Sequence, residues 1–146
     1  MVDTVATQII QDGGRSAIVK TTVVIGAGAG GNPPPPQEVT LVDVSGLAPD
    51  AATGRACTEV TLQNVIFASV GVAVELQWKA TAKVLIFDFP RSWTEQYDFS
   101  AFGIPNNALP AGRNGDIVAE SQANAVTPLV EGDTYTFVLT VTKTYG

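Results

Sequence analysis

The glycines of residues 23–31 have a spacing that is used to bind dinucleotides. This stretch reads VVIGAGAGG, and Gly26, Gly28 and Gly31 satisfy the pattern G-x-G-x-x-G. The pattern binds a pyrophosphate only where its last glycine opens a helix whose free amides point at the phosphates. Here Asn32 and then four prolines, residues 33–36, follow, and a proline run favours extended geometry without amide donors. We therefore predict a surface loop and no cofactor at this position.

Three carboxylates, Asp88, Glu95 and Asp98, lie near one another in the sequence, and a pair of carboxylates can hydrolyse a glycosidic bond. Ser92 and Ser100 lie among them, but a serine nucleophile needs a neighbouring base and the chain contains no histidine. The loop pattern of calcium sites, D-x-[DN]-x-[DN]-G, is also absent. We predict solvated carboxylates, no catalytic residue, no metal site and no enzymatic activity.

Cys57 is the one cysteine of the sequence, so it has no partner for an intrachain disulfide and no thiolates with which to form a metal cluster. Free cysteine is among the most buried residue types, and we expect a buried free thiol. A disulfide between the Cys57 side chains of two subunits is the alternative.

The composition indicates one domain over residues 1–146, with 45 % hydrophobic and 15 % charged residues. The net charge is −6 and the eight lysines and arginines are scattered, which argues against nucleic acid and against anionic membranes as partners. The longest apolar run, residues 65–74, is about half a membrane span. Polar residues throughout the first twenty positions argue against a secretory signal.

The elements that must position these residues are strands, because the hydrophobic pattern has a period of two almost everywhere. In DTYTFVLTVTKTYG, apolar residues from Tyr135 to Val141 alternate with threonines, as in a half-buried strand. Residues 84–89 are apolar on both faces, which predicts a central strand covered on both sides. Asp12-Gly13-Gly14 predicts a hairpin turn between two strands. The predicted core contains Leu76, Trp78, Leu85, Phe87, Phe137 and Leu139.

Further strands are predicted at residues 39–44, 58–67, 72–79 and 116–121. About eight strands without a sustained helical period predict an all-β fold, either an antiparallel β-sandwich or a jelly-roll-like barrel. Two long loops remain, one over the glycine–proline stretch and one over residues 90–116.

The loop over residues 90–116 is the most informative part of the sequence for function. Structureless loops of this length are uncommon in a compact domain, and this one is rich in aromatic, proline and turn-forming residues. Such rings form protein interfaces, fold back as a lid on the core, or stack sugars next to polar groups. All three interpretations stay open. The candidate interface residues are Trp93, Tyr97, Phe99, Phe102, Ile104, Asn106 and Asn107.

Three stretches of the sequence resemble a group of small virion structural proteins of tailed bacteriophages. They are DTVATQIIQDGGRSAIVK, DFSAFGIPNNALPAGRNGDI and GDTYTFVLTVTKTYG, and together they cover a little over a third of the chain. The resemblance implies a protein that assembles on the virion, first as a capsid decoration (cement) protein that stabilises the head. A head–tail connector or tail component is the second choice, and a carbohydrate-binding β-sandwich module on the virion is a further alternative.

The partners expected from this resemblance are the major capsid protein or other virion proteins, and further copies of the chain. We expect a homo-oligomer, for which a trimer is the first guess, seated on the capsid through residues 90–113. The terminal segments 2–8 and 142–146 are expected to extend onto neighbours. The expected location is the virion, which is assembled in the host cytoplasm. We expect the protein on the outer surface of the particle, because the packaged DNA inside repels an acidic protein.

Overall fold

The computed structural model describes residues 3–123 and 127–146, and these form an all-β fold. A 3-10 turn over Val44–Gly46 is the one helical element in these ranges, and no helix in them is long and apolar enough to cross a membrane. The nine strands are β1 Thr4–Asp12, β2 Ser16–Val24, β3 Glu38–Val42, β4 Cys57–Val70, β5 Ala73–Trp78, β6 Val84–Phe89, β7 Thr94–Asp98, β8 Ile117–Gln122 and β9 Thr134–Tyr145.

The strands form two antiparallel sheets that pack face to face. Sheet A has five strands in the order β1-β2-β9-β4-β7, and sheet B has four in the order β3-β8-β5-β6. The predicted β-sandwich is confirmed, and the sheets are not closed into a barrel. Alternation along the strands buries one face of each sheet, with Phe67, Trp78, Tyr135 and Phe137 among the largest fully buried side chains.

The predicted core is confirmed at Leu76, Trp78, Phe137 and Leu139, each at most 1 % exposed. It is wrong at Leu85, which is 51 % exposed, and Phe87 is only partly buried. The predicted central strand is β6, which is instead an edge strand of sheet B. The described strands form two layers only, so the outer face of β6 has no layer to cover it and Leu85 on that face is exposed.

The predicted hairpin turn at residues 12–14 and the predicted loop over the glycine–proline stretch are both confirmed. Asp12-Gly13-Gly14 joins β1 to β2, which pair antiparallel from Thr4↔Val24 to Asp12↔Ala17. No helix follows Gly31, because residues 25–37 form an irregular connection from sheet A to sheet B. Gly30 and Gly31 adopt φ of 60° and 79°, the left-handed region that glycine tolerates best.

The predicted structureless loop over residues 90–116 is wrong in its first third. Residues Thr94–Asp98 form β7, which pairs with β4 from Asn64↔Asp98 to Ala68↔Thr94. This strand raises the number of strands from about eight to nine and becomes an edge of sheet A.

Candidate interaction surfaces

Tyr97 of β7 and Phe99, the first residue after β7, pack against the rings of β6 in sheet B. The Phe87 ring stacks on Tyr97 with a centroid distance of 5.4 Å and on Phe99 with a centroid distance of 5.3 Å. Phe89 in turn stacks on Phe67 of the core at 4.5 Å. We call Phe87, Phe89, Tyr97 and Phe99 the ring edge. The ring edge joins β6, an edge strand of sheet B, to β7, an edge strand of sheet A. This corresponds to the interpretation in which the aromatic residues fold back as a lid on the core.

Trp93 and Phe102 are the exposed aromatics of the predicted interface. Trp93 directly precedes β7, is 47 % exposed, and donates from Nε1 to Glu95 at 3.1 Å. Phe102 is 81 % exposed on the turn after β7. The two rings therefore lie beyond opposite ends of β7, separated by the length of the strand.

The remaining loop, residues 99–116, is held to the body of the sandwich. Ile104 forms a β-bridge with Leu62, and the Thr81 amide donates to the Ala111 carbonyl at 3.0 Å. Asn106 accepts a hydrogen bond from the Ala108 amide at 2.9 Å, whereas Asn107 is exposed. Arg113 donates to the Ala108 carbonyl and forms an ion pair with Glu59. These ties hold the loop against one end of the fold.

The outer side of sheet A is a broad surface with little charge, which we call the neutral face. Its cross-strand rows together span all five strands, so that at about 4.8 Å per strand the face is about 20 Å wide. Its rows are Thr4–Val24–Thr134–Val70, Ala6–Thr22–Thr136–Ala68–Thr94, Gln8–Lys20–Val138–Ile66–Gln96 and Ile18–Thr140–Asn64–Asp98.

Within these rows only Lys20 and Asp98 carry charge. The exposed side chains include Ile66 at 41 % and Val70 at 65 %. Thr22 and Thr136 form a hydroxyl–hydroxyl hydrogen bond of 3.2 Å across β2 and β9. Apart from Gln8, Lys20 and Gln96, the face is made mostly of short or β-branched side chains, which lose little entropy when they are covered.

The outer side of sheet B has the opposite character. Its central row, the acidic row, contains four carboxylates on neighbouring strands: Glu38, Glu120, Glu75 and Asp88. Lys83 bridges Glu38 and Glu120 at 2.9 and 3.0 Å, and Lys79 adds a second contact to Glu38. No such lysine contact is recorded for Glu75 or Asp88 within residues 3–123 and 127–146.

The three carboxylates singled out in the sequence do not converge on one site. Asp88 lies on the outer side of β6, Glu95 accepts from Trp93, and Asp98 accepts from the Ser100 amide at 2.9 Å. Hydrogen bonds from the Ser100 hydroxyl and amide lower the pKa of Asp98. The described residues contain no group of three or more acidic or cysteine side chains arranged to hold a metal ion.

Cys57 begins β4 and is 4 % exposed. Its Sγ lies 3.3 Å from the Glu59 carbonyl oxygen, to which it donates, and burial raises the pKa of the thiol. Both properties disfavour the thiolate that attacks a disulfide, so the surroundings of Cys57 suit the free thiol better than a bond between subunits.

The two terminal segments that are expected to extend onto neighbours, residues 2–8 and 142–146, differ from each other in how far they are engaged within the chain. Residues 142–145 belong to β9 and pair with the beginning of β4, so their backbone is engaged within the chain. Lys143 has a fully buried side chain in an ion pair with Asp12 and a hydrogen bond to the Ala48 carbonyl. Residues 4–8 lie on the edge strand β1, and Val2 is outside the described residues.

Sequence reasoning missed the neutral face and the acidic row, because each assembles residues from distant segments. The signal that was present is the alternation of threonine with apolar residues in β9, which showed that one side of this strand is uncharged. Comparison of the chain with protein-family models, with curated proteins and with solved structures finds no match.

Proposed function

We propose that the protein is a non-enzymatic structural protein of a tailed-phage virion, and that it binds the capsid lattice as a decoration protein. The observation that carries the proposal is the contrast between the two sides of the sandwich. The neutral face carries two charged residues in four rows, whereas the acidic row places four carboxylates side by side.

The neutral face is suited to bind a protein surface. The buried centres of interfaces are depleted in charge, because each charged group must lose its hydration on binding. Threonine, valine and alanine also lose less side-chain entropy than lysine or glutamate. A sheet face of this kind can lie flat on a lattice, while the acidic row stays in water.

Trp93 and Phe102 extend the proposed contact along the β7 edge. Exposed aromatic side chains are enriched at interfaces, where a ring buries a large area at small entropic cost. Tyr97 and Phe99, by contrast, have ring faces already covered by Phe87. Within residues 90–113 we therefore assign the anchoring role to Trp93 and Phe102, and a supporting role to the ring edge.

The first test is the copy number of the protein in purified particles of a phage that encodes it, measured by quantitative mass spectrometry. A decoration protein is present at a copy number comparable to that of the major capsid protein. A few copies per particle would place the protein at the connector or tail and contradict the assignment to the capsid surface.

The second test is a matched pair of variants in a binding assay with particles that lack the protein. Val70→Lys puts a charge on the neutral face, and we expect it to weaken particle binding by about tenfold or more while the Tm stays unchanged. Leu85→Lys is the control, because Leu85 is similarly exposed but lies on the outer side of sheet B. Equal binding of both variants would overturn the role of the neutral face.

A further inference from the structure

The edge strands of the two sheets differ in how well they are protected against pairing with another chain. In the described part of the chain the edges are β1 and β7 of sheet A and β3 and β6 of sheet B. β7 and β3 have five residues each and β6 has six, and each carries at least one carboxylate. Short length and charge are the usual devices that prevent a strand edge from pairing.

β1 is longer, and its one carboxylate, Asp12, is its last residue and forms an ion pair with Lys143. The strand has nine residues, and the segment from Thr4 to Gln11 contains no charged residue, no proline and no glycine. Its residues are exposed along almost the whole strand, with Val5 at 44 % and Ile9 at 46 %. A bulge disturbs its pairing with β2 only between Ile9 and Gln11, so that the stretch from Thr4 to Ile9 is regular.

The inward side of β1 overhangs sheet B. Val5, Thr7 and Ile9 lie opposite the buried residues Val23, Thr21 and Val19 of β2, and so point to the side on which sheet B packs. Beneath them is an open groove of about 300 Å³ between β1 and β3, lined by the apolar residues Ile9, Val19, Leu41 and Leu47 and, away from β1, by Asp43 and Asp116. The strand thus offers both a free backbone edge and an uncovered apolar side.

From these features we infer that β1 is the edge through which two copies of the chain pair, antiparallel about a two-fold axis at Thr7. Residues directly opposite in an antiparallel pair share a face, so inward residues must oppose inward residues. Of the registers that satisfy this, centring on Thr7 places Val5 of each copy against Ile9 of the other. Thr7 of one copy then lies directly opposite Thr7 of the other, and the two hydroxyls can form a hydrogen bond.

A second copy is the occupant that the charges favour. Each chain carries a net charge of −6, so two copies approach at lowest cost along a segment without carboxylates, and residues 4–11 of β1 are such a segment. Pairing across it continues sheet A from one copy into the next and puts both neutral faces on the same side. The product is a two-fold dimer in place of the trimer expected from the sequence. The inference does not depend on the proposed place on the capsid.

The test is sedimentation velocity of the isolated protein over a concentration series, with variants at the proposed axis. We expect wild type to dimerise, and Thr7→Lys to raise the dimer dissociation constant at least about tenfold, because two ammonium groups face each other. Gln96→Lys is the control on the opposite edge of sheet A and should dimerise as wild type does. Circular dichroism of each variant verifies that the fold is retained.

A charge-exchange experiment tests the register itself. Thr7→Glu alone should also be monomeric, whereas an equimolar mixture of Thr7→Lys and Thr7→Glu should recover dimers that dissociate at high salt. A monomeric wild type, a trimer, or a Thr7→Lys variant that dimerises normally would each overturn the inference. So would a mixture that stays monomeric. None of these results bears on the Val70→Lys comparison, so the two proposals fail independently.

Discussion

Tyr135 holds its phenol oxygen in the core without a hydrogen-bond partner among the residues that the structure describes. The ring packs at 6.0 Å against Phe137, and the residue is 0 % exposed. Burial, and to a smaller extent the charge of Asp3, raise the pKa of the hydroxyl. A buried hydroxyl that has exchanged water for no partner costs free energy, because its hydration is not replaced.

Replacing Tyr135 by phenylalanine removes this cost and keeps the ring. We expect Tyr135→Phe to be neutral or to raise the free energy of unfolding by up to about 1 kcal/mol, measured by urea denaturation. Tyr145→Phe is the matched control, since the Tyr145 hydroxyl donates to the Gly14 carbonyl. Its loss should lower the free energy of unfolding by about 1 kcal/mol. A destabilised Tyr135→Phe would show that the hydroxyl has a partner after all.

At the scale of elements, the ring edge packs the two sheets together next to a point where the backbone crosses between them. β6 and β7 belong to different sheets and are joined by residues 90–93, and the stacked rings of Phe87, Tyr97 and Phe99 hold these two edges against each other. The cost of removing a ring depends on how much of it is covered. The same substitution should therefore have different effects at Phe87 and at Phe102.

We expect Phe87→Ala to lower the free energy of unfolding by about 2–3 kcal/mol, somewhat less than a fully buried phenylalanine, because Phe87 is only partly buried. Phe102→Ala should change it by less than about 0.5 kcal/mol, since Phe102 is 81 % exposed. Chemical denaturation of both variants gives the comparison. If Phe87→Ala costs no more than Phe102→Ala, the ring edge does not stabilise the fold.

The edge strand β3 is tied to the β5–β6 hairpin through Glu38, Lys79 and Lys83. Burial opposes ionisation of Glu38, but hydrogen bonds from Lys79 and Lys83 outweigh it, and the net effect lowers the pKa of the carboxyl. A carboxyl group whose pKa is lower in the folded state stabilises the fold above its unfolded pKa. That stabilisation is lost as the pH falls through the folded pKa.

We therefore expect Glu38→Gln to lower the free energy of unfolding by about 1 kcal/mol at neutral pH, and by progressively less below a pH of about 4.5. Denaturation of wild type and variant at a series of pH values measures the difference. Glu131→Gln is the control at an exposed position outside these ion pairs. A difference that does not depend on pH would show that the ion pairs are not its cause.

The elements also show what the sequence predicts and where it stops. Alternation identified β9 and its buried side, because period and residue type are local properties. The position of a strand within its sheet is not local, so the apolar pattern of residues 84–89 predicts a central strand where β6 is an edge, and predicts a core position for the exposed Leu85. β7 was missed because its polar sequence TEQYD lies between turn residues. The neutral face depends on pairings such as Thr22↔Thr136, which only the folded chain reveals.

At the scale of the whole molecule, charge is sorted by sheet. Sheet A turns a nearly uncharged side outward and sheet B a row of carboxylates, so that the domain has two chemically different sides. Pairing through β1 would place two neutral faces on one side of the dimer and two acidic rows on the other. On an uncharged protein surface this distribution favours the orientation in which the neutral face makes the contact, because the reverse orientation would bury the acidic row.

The position of β9 in sheet A decides when the fold can form. β9 lies between β2 and β4, so Ser16 acquires its neighbour Thr142 only after almost the whole sequence has been made. Until residues 134–145 leave the ribosome, sheet A exists at most as two separate pieces, β1–β2 and β4–β7. Folds built from such distant pairings form slowly, and unpaired strands aggregate in the interval. Sheet A is therefore completed only when β9 pairs with both β2 and β4.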